Sequence, residues 1–173
     1  MAIGANTNNP RGFLAEGRFS DQALPTLKLK CQAAAALVIK DGDPITITAG
    51  EAVDAESGDV IVGVAIGPAF VDLLTGDTVV LINPALPDVV FRVQDDVAAP
   101  ALTAIGNAYD IDSVVNGAYT IDGKTAATNG DVAIIGIAAA DDMGLYNEGD
   151  EQYRDVLVVF QNTIWNGQAP LAV

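Results

Sequence analysis

Three adjacent acid pairs, Asp95-Asp96, Asp141-Asp142 and Asp150-Glu151, are the residues in this sequence most able to suggest chemistry. Acid–base cleavage of a glycoside needs two carboxyls opposed across a cleft, usually one lined by aromatic rings. Neighbouring residues on a strand point to opposite faces, and one Trp and four Tyr give little for a sugar platform. These pairs therefore read as solvated turn charges. The Asp-x-Asp runs in "DGDPITITAGEAVDAE" and "DIDSVVNG" could open a calcium loop, which needs an oxygen ligand at its fifth position and Gly at its sixth. Ile45 and Thr46 stand there in the first run, and Val114 and Val115 in the second. Both fail, and no metal site is predicted.

Nucleophilic catalysis fares no better. The chain has no histidine, which removes Ser-His-Asp and Cys-His machinery and histidine-based zinc sites. Ser20, Ser57 and Ser113 are the only serines, and none stands in a nucleophile-elbow context. Cys31 is the only cysteine, so no intrachain disulfide can form, and its alternating apolar surroundings predict a buried, inert thiol. Neither GxGxxG nor GxxxxGK[ST] occurs, so no phosphate cradle or cofactor is signalled. The expectation is a protein that is not an enzyme.

The elements that would carry any function are strands. Val and Ile number 33 against 15 for Leu and Met, and β-branched side chains favour a pleated surface over a helix. "LKLKCQ" alternates with period two, "AAAALVIK" extends that run, and "PITIT", "VIVGVAIG", "AFVDLL", "TVVLINP", "VVFRVQDD" and "DVLVVFQN" follow as strand candidates. Gly-Asp or Asp-Gly pairs punctuate them, from Asp41-Gly42 to Gly149-Asp150. Gln94 and Gln161 close two of the runs and suggest hydrogen bonding at strand ends. The fold class expected is mainly β, an antiparallel barrel or sandwich. "SGDVIVGVA" at 57–65 is weakly echoed by "NGDVAIIGIA" at 129–138. Two small β units, 27–88 and 89–173, would then meet near "NPALPD", either separately or as one compact domain, with residues 1–26 as an extended N-terminal arm.

The charge is lopsided. The net formal charge is −15, but residues 1–40 hold five of the eight basic residues and only two of the 23 acids. Such an acidic body repels nucleic acid and attracts basic partner surfaces. No signal-peptide core and no apolar run of membrane-spanning length is present, so neither a cleaved leader nor a membrane partner is expected.

"NPRGF" and "EGRF" near the N-terminus, "SGDVIVGVAIG", "DVVFRVQDD" and "VLVVFQN" resemble, in that order, the capsid decoration (cement) proteins of tailed bacteriophages. The tail "NTIWNGQAPLAV" and the strongly acidic body depart from that pattern. The resemblance implies a non-enzymatic virion protein on the outer capsid surface, made in the host bacterial cytoplasm. It would bind the major capsid protein and stabilise the head, and it would self-associate, as a trimer rather than a dimer. It also places the partner interface on Asn9, Pro10, Arg11, Gly12, Phe13, Arg18 and Phe19, with the two rings as anchors and the two arginines as partners for carboxylates. Trp165 reads either as packed on its own domain or as a further anchor. The rival readings are another phage virion β protein, from the tail or fibre base, and a soluble β-barrel binding module.

Overall fold

The computed structural model describes residues 11–32, 38–95, 105–115, 118–122, 126–127, 130–138 and 155–166. It is mainly β with antiparallel sheets, and no α-helix occurs among the described residues. A six-stranded sheet is built from β2 (Leu27–Lys30), β3 (Pro44–Thr48), β4 (Glu51–Asp54), β5 (Gly63–Ala65), β6 (Phe70–Val71) and β7 (Thr78–Pro84). Its order is β2-β7-β5-β3-β4, with β6 paired to β7 beyond the end of β5. A parallel bridge between Cys31, just past β2, and Ala52 of β4 joins the first and last strands at one point.

The second sheet has five strands in the order β1-β8-β13-β12-β9: β1 (Leu14–Arg18), β8 (Val89–Gln94), β9 (Ala108–Tyr109), β12 (Val132–Ile137) and β13 (Asp155–Phe160). A separate hairpin pairs β10 (Ile111–Val115) with β11 (Ala118–Ile121). Every strand of the six-stranded sheet lies within 27–84, and every strand of the other except β1 lies beyond 88.

Period-two alternation sets which face each strand buries. Val89, Phe91 and Val93 of β8 and Val156, Val158 and Phe160 of β13 all point inward. With Phe13, Val132, Ile134, and Tyr119 and Ile121 of the hairpin they form the larger core, which also takes Ala55, Ile61, Val64 and Ala85 from the other half. The smaller core lines the six-stranded sheet with Ile45, Val62, Val80, Ile82 and Cys31. Ile61 and Val62 thus face different cores, so the same short run of chain contributes to both. Burying a branched aliphatic or aromatic side chain contributes about 1.5–3 kcal/mol, so the run 61–65 stabilises both halves at once.

The N-terminal segment differs from the extended arm expected of it. Residues 14–18 form a strand of the five-stranded sheet, paired antiparallel to β8 from Leu14↔Arg92 to Arg18↔Val89, with a bulge between Ala15 and Gly17. The physical reason is Phe13, which is 1% exposed and packs on Phe160 with ring centroids 5.0 Å apart. Phe160 in turn meets Phe91 edge-on at 5.2 Å. Once that ring is inside the core, the next five residues lie along the free edge of β8.

Two further sequence expectations change. Asp95 is no solvated turn charge: it is fully buried and bridges Ile121 in parallel. "AFVDLL" forms a strand only at Phe70–Val71, and the rest turns into a loop. The strand expected at "AAAALVIK" falls outside the described residues at 33–37, and residues 38–40 are not strand. Asp96, Asp141, Asp142, Asp150 and Glu151 lie outside the described residues.

Candidate functional site

The residues expected at a partner interface divide into two groups. Asn9 and Pro10 lie outside the described residues. Arg11, Gly12 and Phe13 form a crossing point against the turn at 40–43. Gly12 has φ +74°, and a Cβ there would lie 2.6 Å from the carbonyl oxygen of Gly42, itself at φ +84°. Phe13 N–H donates to that same oxygen at 2.8 Å. Glycine is required on both sides of this contact because no side chain fits between the backbones and the left-handed conformation strains other residues. The "RGF" triplet therefore turns the chain so that Phe13 enters the core. Phe13 is a core side chain and not an exposed anchor, which corrects the sequence expectation.

Arg18, too, is engaged within the chain. Its Nε donates to Asp88 Oδ2 at 2.8 Å, Nη2 lies 2.7 Å from the same oxygen, and Nη1 donates to Gln22 Oε1 at 3.2 Å. Ser20 Oγ adds a third donor to Asp88 at 2.9 Å. The Arg18 guanidinium, helped by Ser20, holds the Asp88 carboxyl below the usual range. This knot fixes the backbone at Phe19, whose N–H donates to Asp88 O at 2.9 Å while its ring stays 65% exposed. Of the two phenylalanines, Phe19 is the one available to a partner.

Beside β1 runs a row of ion pairs. Arg92 Nε meets Glu16 Oε1 at 2.6 Å, and its Nη1 lies 4.0 Å from Asp155 Oδ2. Burial raises the Asp155 carboxyl despite the opposing pull of Arg92 and Arg11. Arg11, Gly12, Leu14, Arg92, Gln94 and Asp155 line a cleft of about 10 Å³, the room of about one water molecule. The arrangement can hold β1 in place by charge. Among the described residues no three His, Cys, Asp or Glu side chains gather to hold a metal ion.

No family model, curated protein or solved structure matches this chain. Among the described residues, no helix is long and apolar enough to cross a membrane.

Trp165 lies on a short 3-10 turn, Ile164–Asn166, that docks on the six-stranded sheet. Its Nε1 donates to Val62 O at 2.9 Å, and the ring is 37% exposed. Of the two sequence readings, packing on its own chain is the one observed. Cys31 is buried as expected, and burial followed by the Glu51 charge pushes its thiol up.

Two features escaped the sequence reading. Asp131, almost fully buried, accepts from Gly58 N–H at 3.1 and 3.3 Å and from Ile111 N–H at 3.1 Å. Asn162 Nδ2 donates to Gly58 O and Asp59 O, and Ile61 N–H donates to Asn162 O at 2.8 Å. The two segments that echo each other in sequence thus touch, with Asp131 of one gripping the Gly58 turn of the other. Burial raises the Asp131 carboxyl against the pull of these backbone donors. The second feature is the loop after β6, where Leu73 and Leu74 stand almost wholly in water. Its signal in sequence was the Asp72 side chain, two residues before Leu74 and able to close an Asx turn.

Proposed function

We propose that this chain is a non-enzymatic structural protein of a phage virion that binds the outer surface of the major capsid protein lattice and stabilises the head. The observation that carries this reading is the order of the short motifs along residues 9–162. Their places in the fold support it: "RGF" delivers Phe13 to the core, "VIVGVA" joins both cores, and "VVFRVQ" and "VLVVF" are adjacent strands β8 and β13. The finer architecture proposed is a small barrel, closed where Cys31 bridges Ala52, beside a second β layer. What the described part of the arm leaves for a partner is Phe19, held outward by the Arg18–Asp88 knot. The protein would act as a trimer, because repetition around a lattice axis multiplies weak contacts.

The test mixes purified protein with undecorated expanded capsids and counts bound copies per particle. Truncation at residue 26 would remove β1 and Phe13 from the core, so the variants are a chain lacking residues 1–10 and Phe19→Ser. Saturable, lattice-matched binding by the full chain, weakened in either variant, is the expected result. No binding by the full chain would overturn the reading in favour of a free β binding module.

A further inference from the structure

The loop between β6 and β7 is tied down more heavily than its length requires. Asp72 N–H donates to Asp77 O at 2.8 Å, and Gly76 N–H donates to Asp72 O at 2.7 Å. Asp72 Oδ1 accepts from Leu74 N–H at 2.9 Å, and Thr75 Oγ1 accepts from Asp77 N–H at 3.3 Å. Two lysines on the outer face of β2 latch its two ends: Lys28 Nζ meets Asp72 Oδ2 at 2.5 Å, and Lys30 Nζ meets Asp77 Oδ1 at 3.2 Å and Glu51 Oε1 at 3.9 Å. The Lys28 bond, with Leu74 N–H behind it, holds the Asp72 carboxyl below its ordinary range.

This fixed loop carries Leu73 and Leu74 at 95% and 94% exposure, more than any other large apolar side chain among the described residues. Phe70 and Val71, on β6 just before it, are also exposed. Leucines scattered singly on a surface need no explanation, but two adjacent leucines held almost wholly in water on a braced loop, with exposed Phe70 and Val71 on the strand before it, are of the kind that marks an interaction site. Because the loop is ordered before contact, little conformational freedom is lost on docking.

Charge selects the occupant. Lys28 and Lys30 are already paired with Asp72, Asp77 and Glu51, two cations against three carboxylates, so the base of the knob offers no spare positive charge to an acidic partner. Beyond it, residues 41–173 carry 21 acids against three bases. Such a body steers the knob towards positive surfaces and away from an anionic lipid surface or the acidic face of another copy, so the contacts of the trimer proposed above would lie elsewhere on the chain. We propose that Leu73 and Leu74 are a docking knob for an apolar socket with a basic rim on the capsid protein. The proposal rests on the capsid-binding reading above, and it moves the main anchor from the N-terminal segment to the β6–β7 loop.

The test uses the full chain and the double variant Leu73→Ser/Leu74→Ser, with undecorated expanded capsids as the probe and thermal melting as the control for folding. Both side chains lie outside the core, so the melting curve should not move. The expected result is half-saturation about a hundredfold weaker in the double variant, the order expected for losing two buried leucines, and weaker binding of the full chain as salt rises. Equal binding by both proteins would overturn the knob and leave the capsid reading standing. Binding of the full chain that ignores salt would overturn the basic rim. No binding by either protein would overturn both readings. Flotation of the full chain with phosphatidylcholine vesicles, or a self-associated species in sedimentation that the double variant abolishes, would assign the knob to lipid or to a second copy and overturn the proposal.

Discussion

Gly12 lies so close to Gly42 that a Cβ on the first would sit 2.6 Å from the carbonyl oxygen of the second. Two separate penalties meet at this one position. A left-handed backbone costs a non-glycine residue about 1–2 kcal/mol, and the steric conflict adds to it because the obstructing atom is backbone. Gly76 has nearly the same φ, +75°, but open space around its missing Cβ. Gly76→Ala is therefore expected to lower unfolding stability by about 1–2 kcal/mol and Gly12→Ala by roughly twice that or more. Urea midpoints of the two variants check it. Equal losses would mean that the crossing is not tight.

Phe13 and Phe19 flank the same strand and should behave in opposite ways. Removing the Phe13 ring empties a space bounded by Phe160, so Phe13→Ala should cost about 3–5 kcal/mol. Phe19 is mostly in water, and Phe19→Ala should change stability by no more than about 0.5 kcal/mol. Denaturant titration separates them. A large loss at Phe19 would show that its ring packs within the chain.

How much of this was legible beforehand follows from the range of the forces involved. Strands such as "TVVLINP" and "DVLVVF" could be read directly, because period-two burial is a local property of the side chains. The fate of Phe13 could not, since its ring is claimed by Phe160, far along the chain. Asp95 and Asp131 look like any turn acid in sequence, and only the tertiary fold buries them and, for Asp131, supplies backbone donors. The Leu73–Leu74 knob was hidden for the opposite reason. "AFVDLL" is a sound strand pattern that the Asp72 turn cuts short, a local hydrogen bond overriding β propensity.

Asp43 gives the stability a pH dependence of definite sign. It is nearly buried, its carboxylate accepts from Lys40 N–H at 2.7 Å, and burial raises its pKa to about 6 against that bond. Between its ordinary value near 3.8 and about 6 the folded chain binds more protons than the unfolded one, so this group's contribution falls as pH rises through that window. Asp72 and Asp88, held low by Lys28 and Arg18, act in the opposite sense and lose their contribution as pH drops through their depressed values. Asp43→Asn keeps an oxygen for Lys40 N–H and removes the titration. It should be more stable than the natural chain at pH 7, with the advantage shrinking towards pH 4. An advantage that stays constant over that range would exclude Asp43 as the titrating group.

Asp131 should matter through its acceptors more than its charge. Its carboxylate serves Gly58 N–H and Ile111 N–H, one in each half of the chain, and its backbone oxygen takes Gln161 N–H at 2.8 Å. Asp131→Ala leaves both side-chain-bonded amides without that acceptor, and a buried donor so orphaned costs about 1–3 kcal/mol. Asp131→Asn retains one oxygen and brings an amide that can only repel a second N–H, so its loss should fall between those of the natural chain and the alanine variant. Trp165, the only tryptophan, reports unfolding from beside Val62, next to Ile61, which joins this junction through Asn162. Hydrogen exchange then tells a local effect from a global one. Faster exchange confined to the amides of Gly58 and Ile111 would show a loosened junction between otherwise intact sheets. Faster exchange across β8 and β13 as well would show that the two halves unfold as one.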